Sequence, residues 1–446
     1  MSERKELSGT FWNYLGSALL ISLSGCLGVL VDGIIVGNLI NSDGVSAINL
    51  NTPVVQFLAT ISMLIAAGGG MLVGYALGMR NVGQASHIYT QSMIGSMVVG
   101  LCFTFMGILI PGATAGFLCS NELLLPMVTD YLRVLMLGAP VYMLMWGLST
   151  MIGVDGSPRL ASVAIIIDNI VNLILDVVFI KLFDMGITGS SLATVVGHLV
   201  AIAIMLTHFR KGTSQLKLQM QWNNLSVWKD IISQGLPLAV ASICLTLLLF
   251  TSNKVVLAIA GSVGIFVFSV CMNLLQIYNL FLAGVSRSLQ TLGSVLIGKK
   301  DYEGFRYILG KSFSFITVAM IITCAYVWVY PESLARMFGA ENEALVEACN
   351  KALRIFALSF IPFCYIYTLM IVYKLLGENG MSLMVSFMLS LTIIPVLGII
   401  AWFAPKYLWY SYLIAYIIEM VVIAAVHKLK GVNLRKFLYA QASMGK

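Results

Sequence analysis

The chain has little charge and few interruptions to its apolar sequence. Asp, Glu, Lys and Arg make up only 10% of its 446 residues, whereas 59% are hydrophobic. Soluble domains carry about 25% charged residues, so this composition excludes an ordinary soluble protein and predicts a protein that lies in a membrane. The apolar runs are long and continuous rather than alternating, which favours membrane-spanning helices over a β-barrel.

Motifs of hydrolytic and nucleotide-driven chemistry are missing as well. The sequence contains no Walker A motif, no Gly-x-Ser-x-Gly and no His-Glu-x-x-His. Its eight cysteines form no Cys-x-x-Cys pair, and most lie in apolar segments, where a free cysteine behaves as a small hydrophobic residue. The sequence therefore predicts a protein that is not an enzyme and needs no cofactor.

Twelve apolar segments are long enough to cross a bilayer. One longer polar stretch divides the chain near its middle. We predict an all-α polytopic membrane protein with an N-terminal lobe at 1–210, a cytoplasmic linker at 211–228, and a C-terminal lobe at 229–446 that ends in a short tail. The predicted spans are about 10–38, 46–74, 85–111, 122–150, 159–181, 187–209, 229–260, 264–296, 303–330, 343–375, 380–403 and 408–428.

Basic residues are distributed unevenly between alternate loops. The loops on one side of the predicted membrane hold most of the Lys and Arg, including Arg80 and Arg210, whereas the opposite loops hold mainly Lys181, Arg336 and Lys406. The positive-inside rule then places both termini in the cytoplasm. This asymmetry also accounts for the net charge of +7 without a nucleic-acid partner.

The two halves of the sequence repeat at an offset of about 220 residues. An even number of spans per repeat makes both copies run the same way through the membrane, so a pseudo-two-fold axis along the membrane normal should relate two six-helix lobes. The matching features are residues 132–134 with Pro140 against 353–355 with Pro362, and Gly78 before Arg80 against Gly298 before Lys299.

Polar side chains interrupt the spans of the first half. Asp168, Asn172 and Asp176 follow at four-residue intervals on span five, close to one helical face, while Asp32 and Thr194 lie in spans one and six. Ionisable residues at this depth are costly, so they usually pair, bind an ion or carry a proton. We predict a cation site formed by Asp32, Asn172, Asp176 and Thr194, because oxygen ligands suit Na⁺ and buried carboxylates also hold protons. A network that only fixes helix packing is the alternative.

Five further residues are candidates for neighbouring roles. Asp168, Asn169 and His198 extend the site into a candidate cation or proton network, with simple packing as the alternative for His198. Lys254 and Lys374 are candidate contacts in a substrate cavity, and extension of each side chain to the membrane surface is the alternative.

The second half lacks a matching set of acids. At the repeat offset Asp32 falls on Ser252, and span eleven has Pro395 and Gly398 where span five has its carboxylates. The ion chemistry is therefore predicted for the N-terminal half.

The order and spacing of several segments resemble the multidrug and toxic compound extrusion (MATE) family over about residues 8–430. These segments are 31–37 leading to Pro53, 74–83, 153–158, Asn172-x-x-x-Asp176 and 186–194. The resemblance implies a V-shaped pair of six-helix lobes that exports substrate in exchange for Na⁺ or H⁺. It also implies that acids and polar residues of spans one, five and six hold the ion, at the positions of Asp32, Asn172, Asp176 and Thr194.

Some relatives have further acids in spans seven and ten, where this chain has Cys244, Leu245, Phe363 and Cys364. That departure resembles the DinF-like branch, in which ion coupling is confined to the N-terminal lobe. It leaves the choice between Na⁺ and H⁺ open.

The resulting prediction is a cation-coupled antiporter that exports amphipathic, often cationic drugs or toxic metabolites by alternating access. Na⁺ or H⁺ is the coupling ion, the partners are small-molecule substrates and membrane lipid, and one chain is expected to work as a monomer in the plasma (inner) membrane. A flippase for lipid or lipid-linked oligosaccharide, from the same broader superfamily, is the first alternative. A non-transporting membrane receptor is a weaker one.

Overall fold

The structure is a computed structural model that describes residues 2–39, 42–118, 124–210, 212, 214–219, 226–337 and 343–430. These ranges are nearly all helical and contain no strand, so the predicted all-α class is confirmed. Fifteen α-helices are described: α1 (Ser2–Leu39), α2 (Ser42–Gly78), α3 (Val82–Leu109), α4 (Pro111–Leu118), α5 (Leu125–Leu137), α6 (Ala139–Val154), α7 (Pro158–Val177), α8 (Gly186–Arg210), α9 (Ser226–Gly298), α10 (Tyr302–Val329), α11 (Pro331–Met337), α12 (Glu343–Leu375), α13 (Asn379–Leu391), α14 (Ile393–Phe403) and α15 (Ser411–Lys430).

The predicted spans correspond to long apolar helices. Among the described residues, ten helical stretches are long and apolar enough to cross a membrane, and the bent pair α5–α6 adds an eleventh. Helix α1 covers the first predicted span. The protein is therefore polytopic, as its composition predicts.

Four of the predicted spans are bent or interrupted. Span four bends by 50° between α5 and α6, where a Cβ added at Gly138 would overlap the side chain of Val195. Spans seven and eight are two helical stretches on either side of a kink at Gly261, where φ is 60° and ψ is −154°, and α9 denotes both together. Span eleven breaks at Thr392 into α13 and α14.

The described chain divides into two compact units. The N-terminal unit comprises residues 9–235, and the C-terminal unit contains the described residues from Leu236 onward together with the start of α1 up to Ser8. The predicted lobe limits at 210 and 229 stay a prediction. In the N-terminal unit α7 and α8 pack side by side, and α2, α3 and α6 pack on one another.

The beginning of α9 belongs to the N-terminal unit and crosses α2 at very short range. A Cβ added at Gly68 would overlap the backbone carbonyl of Ile231, and one added at Gly235 would overlap that of Leu64. A Cβ at Gly95 on α3 would overlap the ring of Trp228. Glycine is needed at these positions because it has no side chain, so the backbones of α2 and α9 approach closely and the Trp228 ring packs directly on α3.

A short segment without regular secondary structure, residues 214–219, precedes α9 and lies against α3; we call it the strap. The backbone N–H of Lys217 donates to the hydroxyl of Ser86 at 3.1 Å, and that of Gln219 donates to the hydroxyl of Thr90 at 2.9 Å. The side chain of Leu216 is buried. The strap is therefore fixed to the N-terminal unit by both polar and apolar contacts.

Asp155, just after α6, anchors the start of the strap. Its carboxylate lies 2.8 Å from Nε2 of His208 and accepts hydrogen bonds from the hydroxyl of Ser214 at 2.6 Å and the N–H of Gln215 at 3.2 Å. The carboxylate and the imidazole are both almost fully buried. Because each buried polar group here has a partner, the cluster stabilises the turn instead of straining it.

The core of the C-terminal unit is rich in aromatic side chains. The rings of Tyr278 and Phe360 lie 4.6 Å apart between centroids, and those of Phe356 and Tyr412 lie 4.7 Å apart. The ring of Phe268 contacts both Phe356 and Tyr412. These contacts join α9, α12 and α15 by apolar packing.

The repeat predicted from the sequence is visible in the backbone of two pairs of turns. Arg80 and Lys300 have nearly equal positive φ values of 59° and 60°, each two residues after a helix end, and their N–H groups donate to the carbonyls of Leu77 and Ile297 respectively. Gly156 and Gly377 have φ values of 92° and 81° in turns with the same hydrogen-bond pattern.

Candidate functional site

The packed helices α7 and α8 bring together several polar residues predicted to form the cation site. The amide nitrogen of Asn172 donates to the hydroxyl of Thr194 at 3.2 Å, and that hydroxyl donates to the carbonyl of Ser190 at 3.2 Å. Asn172 makes this hydrogen bond through its amide nitrogen, so its carbonyl oxygen can still accept a hydrogen bond or bind a cation. The structure thus places two of the four predicted ligands in direct contact.

Asp168 contacts His198 across the same two helices. Its carboxylate oxygens lie 2.9 and 3.1 Å from Nδ1 of His198, and Asp168 is 3% exposed. A Cβ added at Gly197 would lie 2.5 Å from the Asp168 carboxylate, so the glycine makes room for the acid against α8. The ring of Tyr142 on α6 packs on the imidazole with 5.5 Å between centroids.

Asn169 connects α7 to α1. Its amide nitrogen donates to the hydroxyl of Ser24 at 2.7 Å, and a Cβ added at Gly28 would lie 3.0 Å from its carbonyl oxygen. The predicted network therefore has two branches: Asp168 and His198 link α7 with α8, and Asn169 links α7 with the first helix.

Asp176 lies one helical turn beyond Asn172 and has 0% exposure. It comes just before a π-helical turn at Val178–Leu182, a distortion that occurs often at functional sites. The side chain of Asp32 lies outside the described residues, although the backbone of α1 is helical at that position. Among the described side chains, no group of three or more His, Cys, Asp and Glu residues is arranged to hold a metal ion.

The two lysines predicted to line a substrate cavity are in different environments. Lys254 is exposed, and its ammonium lies 4.5 Å from the centroid of the Phe250 ring, which is a cation–π contact. Lys374 has 0% exposure, and its ammonium nitrogen has no hydrogen-bond partner among the described residues.

Sequence reasoning missed several residues that shape this site. Ser24 and Tyr142 supply contacts to Asn169 and His198, and Gly28 and Gly197 supply the space. The spacing of polar residues along one helix does not indicate which small residue of a neighbouring helix they face, so these partners had no marker in the sequence.

The site lies in a chain whose sequence matches a known family. The MatE family profile matches residues 18–178 and 237–400. Multidrug export protein MepA of Staphylococcus aureus (strain bovine RF122 / ET3-1) is 23% identical over 388 residues, which are 85% of this chain and 84% of that protein. The MepA protein of Staphylococcus saprophyticus subsp. saprophyticus is 24% identical over 252 residues, 56% of each chain.

Solved structures share the fold over nearly the whole chain. A MATE protein in its bent conformation has a TM-score of 0.87 at 18% identity and covers 99% of this chain and 97% of that one. A MOP superfamily transporter from Pyrococcus furiosus Vc1 (DSM3638), whose reversed binding-pocket polarity suggests a different function, has a TM-score of 0.84 at 18% identity, with 97% of this chain and 96% of that one covered.

The shared fold confirms the predicted twelve-helix architecture. The family profile covers well over half of the sequence. The chain therefore belongs to the MatE family and is a multi-pass membrane transporter, not an enzyme.

Proposed function

We propose that this transporter is a cation-coupled antiporter that exports amphipathic, often cationic compounds from the cytoplasm by alternating access. The relatives named as multidrug export proteins support the export of drugs. The observation that carries the coupling proposal is the polar contact surface between α7 and α8. Buried carboxylates and amide and hydroxyl groups meet there in segments that are otherwise apolar enough to cross a membrane.

In this proposal Asn172, Thr194 and Asp176 hold the coupling cation together with Asp32. The groups offered are oxygens, which suit a hard cation such as Na⁺, and the two carboxylates are equally able to carry a proton. The cation moves inward down its gradient. It drives export only to the extent that it binds one conformation more tightly than the other.

In this mechanism Asp168 and His198 form a second polar contact between α7 and α8. The carboxylate orients the imidazole through Nδ1, and Tyr142 limits its rotation on the other side. A bound cation on Asn172 and Thr194 would change the hydrogen bonds one turn away. The pair therefore couples the site to the packing of α7 against α8.

Localisation follows from the same proposal. The chain sits in the plasma membrane with both termini in the cytoplasm and works as a monomer. The basic residues of the predicted cytoplasmic loops support this orientation.

The proposal is tested by dye efflux from proteoliposomes under a Na⁺ gradient and a pH gradient imposed separately. Wild-type protein is expected to move a fluorescent cationic dye under one of the two gradients, and Asp176→Asn is expected to lose that transport. The matched control is Asp130→Asn, which removes an exposed carboxylate of the same unit and should transport normally.

Two results would contradict the proposal. Equal transport by wild type and Asp176→Asn under each gradient would remove the coupling role of the α7–α8 site. Failure of folded wild-type protein to move dye under either gradient would remove the drug-export role, and scrambling of fluorescent lipid by the same vesicles would then favour a flippase.

A further inference from the structure

Glu419 is a buried acid in the C-terminal unit that the proposed coupling site does not use. It lies near the middle of α15, has 0% exposure, and neither carboxyl oxygen has a hydrogen-bond partner among the described residues. No ion pair of the described residues includes it either. An ionised carboxylate in such a place would lose its hydration and gain no donor in return.

Glu419 ends a stripe of polar side chains on one face of α15. Tyr412, Tyr416 and Glu419 are spaced by four and three residues, which puts them on the same side of the helix. The hydroxyl of Tyr412 lies 2.9 Å from that of Ser252 on α9, and the ring of Tyr416 packs against Phe363 with 5.4 Å between centroids. The stripe therefore faces the interior of the unit and not lipid.

Among the described residues, no charged side chain on the elements around α15 forms an ion pair with Glu419. The described contacts of α15 are to α12, α13, α14 and the turn at Pro405–Tyr410, and α13 and α14 carry no charged residue. The ammonium of Lys374, in the last turn of α12, does not hydrogen-bond to Glu419. The other charged or titratable groups on α12 and on the turn at Pro405–Tyr410 are Glu343, Glu347, Cys349, Lys351, Arg354, Cys364, Tyr365, Tyr367, Tyr373, Lys406, Tyr407 and Tyr410. Those on the facing part of α9 include Lys254, Cys271 and Tyr278.

The repeat gives this position a counterpart in the N-terminal unit. The offset of about 220 residues that relates the Gly156 and Gly377 turns carries Glu419 to the helical turn of Gly197 and His198. There the N-terminal unit holds the Asp168–His198 pair. The C-terminal unit thus has a single acid where the other has an acid with a titratable partner.

We propose that Glu419 is a proton-binding site of the C-terminal unit, occupied in this conformation. The proton is held as the carboxyl O–H. It leaves to water as hydronium when the packing around α15 opens, and the carboxylate takes up a proton again before that packing closes. The site is separate from the α7–α8 cluster, so it does not depend on which cation couples there.

Infrared difference spectroscopy on the full-length protein in lipid at neutral pH tests the site. Subtracting the Glu419→Gln spectrum from the wild type should show loss of the carbonyl band of a protonated carboxyl. The matched control is Glu347→Gln, because Glu347 is an exposed acid of the same unit paired with Lys351. Its difference spectrum should show loss of carboxylate bands only. Loss of carboxylate bands on Glu419→Gln as well would overturn the proposal.

Exchange into D₂O tests release of the proton. The band assigned to Glu419 should shift over time, because the proton leaves whenever the surroundings open, and the absence of any shift over days would overturn the proposed release. If Glu419→Gln does not fold, Glu419→Asp serves instead. It should keep a protonated-carboxyl band at an altered position, and a carboxylate band in its place would again contradict the site. None of these readouts depends on dye transport.

Discussion

The fourth span of the N-terminal unit, α5 with α6, and its counterpart in the C-terminal unit, α12, begin from the same sequence pattern but have different structures. Span four bends by 50° at Gly138 to give α5 and α6, whereas α12 continues as one helix through Pro362. The bend follows a glycine that packs against α8, and it places Tyr142 on the ring of His198. A proline alone does not decide whether a membrane helix breaks, since neighbouring contacts also act on it.

The two units differ in polar content as well as in shape. Helices α7 and α8 are joined by Asn172 to Thr194 and by Asp168 to His198, whereas α13 and α14, the counterparts of α7, carry no charged residue. The turns at Arg80 and Lys300 have nevertheless kept the same backbone conformation. A repeat can therefore keep the backbone conformation of its turns in both copies while its polar helix contacts are concentrated in one copy.

The largest effect is expected from exchanging the residues that precede Gly156 and Gly377. Asp155→Leu gives the first turn the apolar residue of the second, and it leaves His208, Ser214 and Gln215 without their acceptor. Breaking a buried pair costs about 3–5 kcal/mol, which should appear as a lower free energy of unfolding in SDS titration. The reciprocal control, Leu376→Asp at a half-buried site, should cost about 1 kcal/mol. Equal losses in both variants would show that the two turns do not differ in this way.

A somewhat smaller effect is expected where α9 crosses α2. In Gly235→Ala the new methyl group would overlap the carbonyl of Leu64, so the helices must separate at a cost of about 1–3 kcal/mol. Gly310→Ala on α10 is the matched control, because nothing lies within 4 Å of a Cβ there and alanine favours the helix by about 0.5–1 kcal/mol. Thermal unfolding in detergent should separate the two variants in opposite directions. A stabilised Gly235→Ala would contradict the close crossing.

Disrupting the Asp168–His198 contact tests whether this polar contact of the N-terminal unit contributes to transport. The methyl group in Gly197→Ala would lie 2.5 Å from the Asp168 carboxylate and should displace it from His198. Loss of a hydrogen bond to a charged group costs about 1.5–3 kcal/mol, so ion-driven dye efflux is expected to fall about tenfold or more. Gly16→Ala on α1, where a Cβ meets nothing within 4 Å, should leave efflux unchanged. Normal efflux by Gly197→Ala would argue that the contact serves packing only.

The smallest effect should be the same in both units. Asn81 and Asp301 begin equivalent helices, and each side chain accepts a hydrogen bond from the backbone N–H three residues later. Replacing either residue by alanine should cost about 1 kcal/mol of unfolding free energy. Unequal losses in the two variants, measured by SDS titration, would show that the repeat has diverged at its turns as well as in its polar residues.

The sequence was sufficient to predict the helical class, the family and much of the polar site. Hydropathy marks each span because lipid leaves few alternatives to a helix, and the four-residue spacing of Asp168, Asn172 and Asp176 places them near one face. The grouping of Asp168 with His198 is present in the structure. The role of the predicted cation ligands remains a prediction, and the side chain of Asp32 lies outside the described residues.

The features that the sequence did not reveal depend on contacts between distant residues. The bend at Gly138 requires Val195 of α8, and the crossing at Gly235 requires Leu64 of α2. Asp155 reads as an ordinary turn residue until His208 and the strap are placed around it. Hydropathy and spacing describe one helix at a time, so such partners become known only from the folded chain.

The strap has a practical consequence for dividing the protein into halves. A fragment that stopped at Arg210, where the last helix of the first repeat ends, would leave the hydroxyls of Ser86 and Thr90 without the backbone N–H groups of the strap. Asp155 would keep His208 but lose the hydrogen bonds from Ser214 and Gln215. It would also lose the part of α9 that fits against Gly68. The shortest N-terminal piece that carries all of its own contacts therefore ends near Gly235. Two co-expressed fragments should reassemble better when the break falls beyond that point than when it falls in the polar stretch after α8.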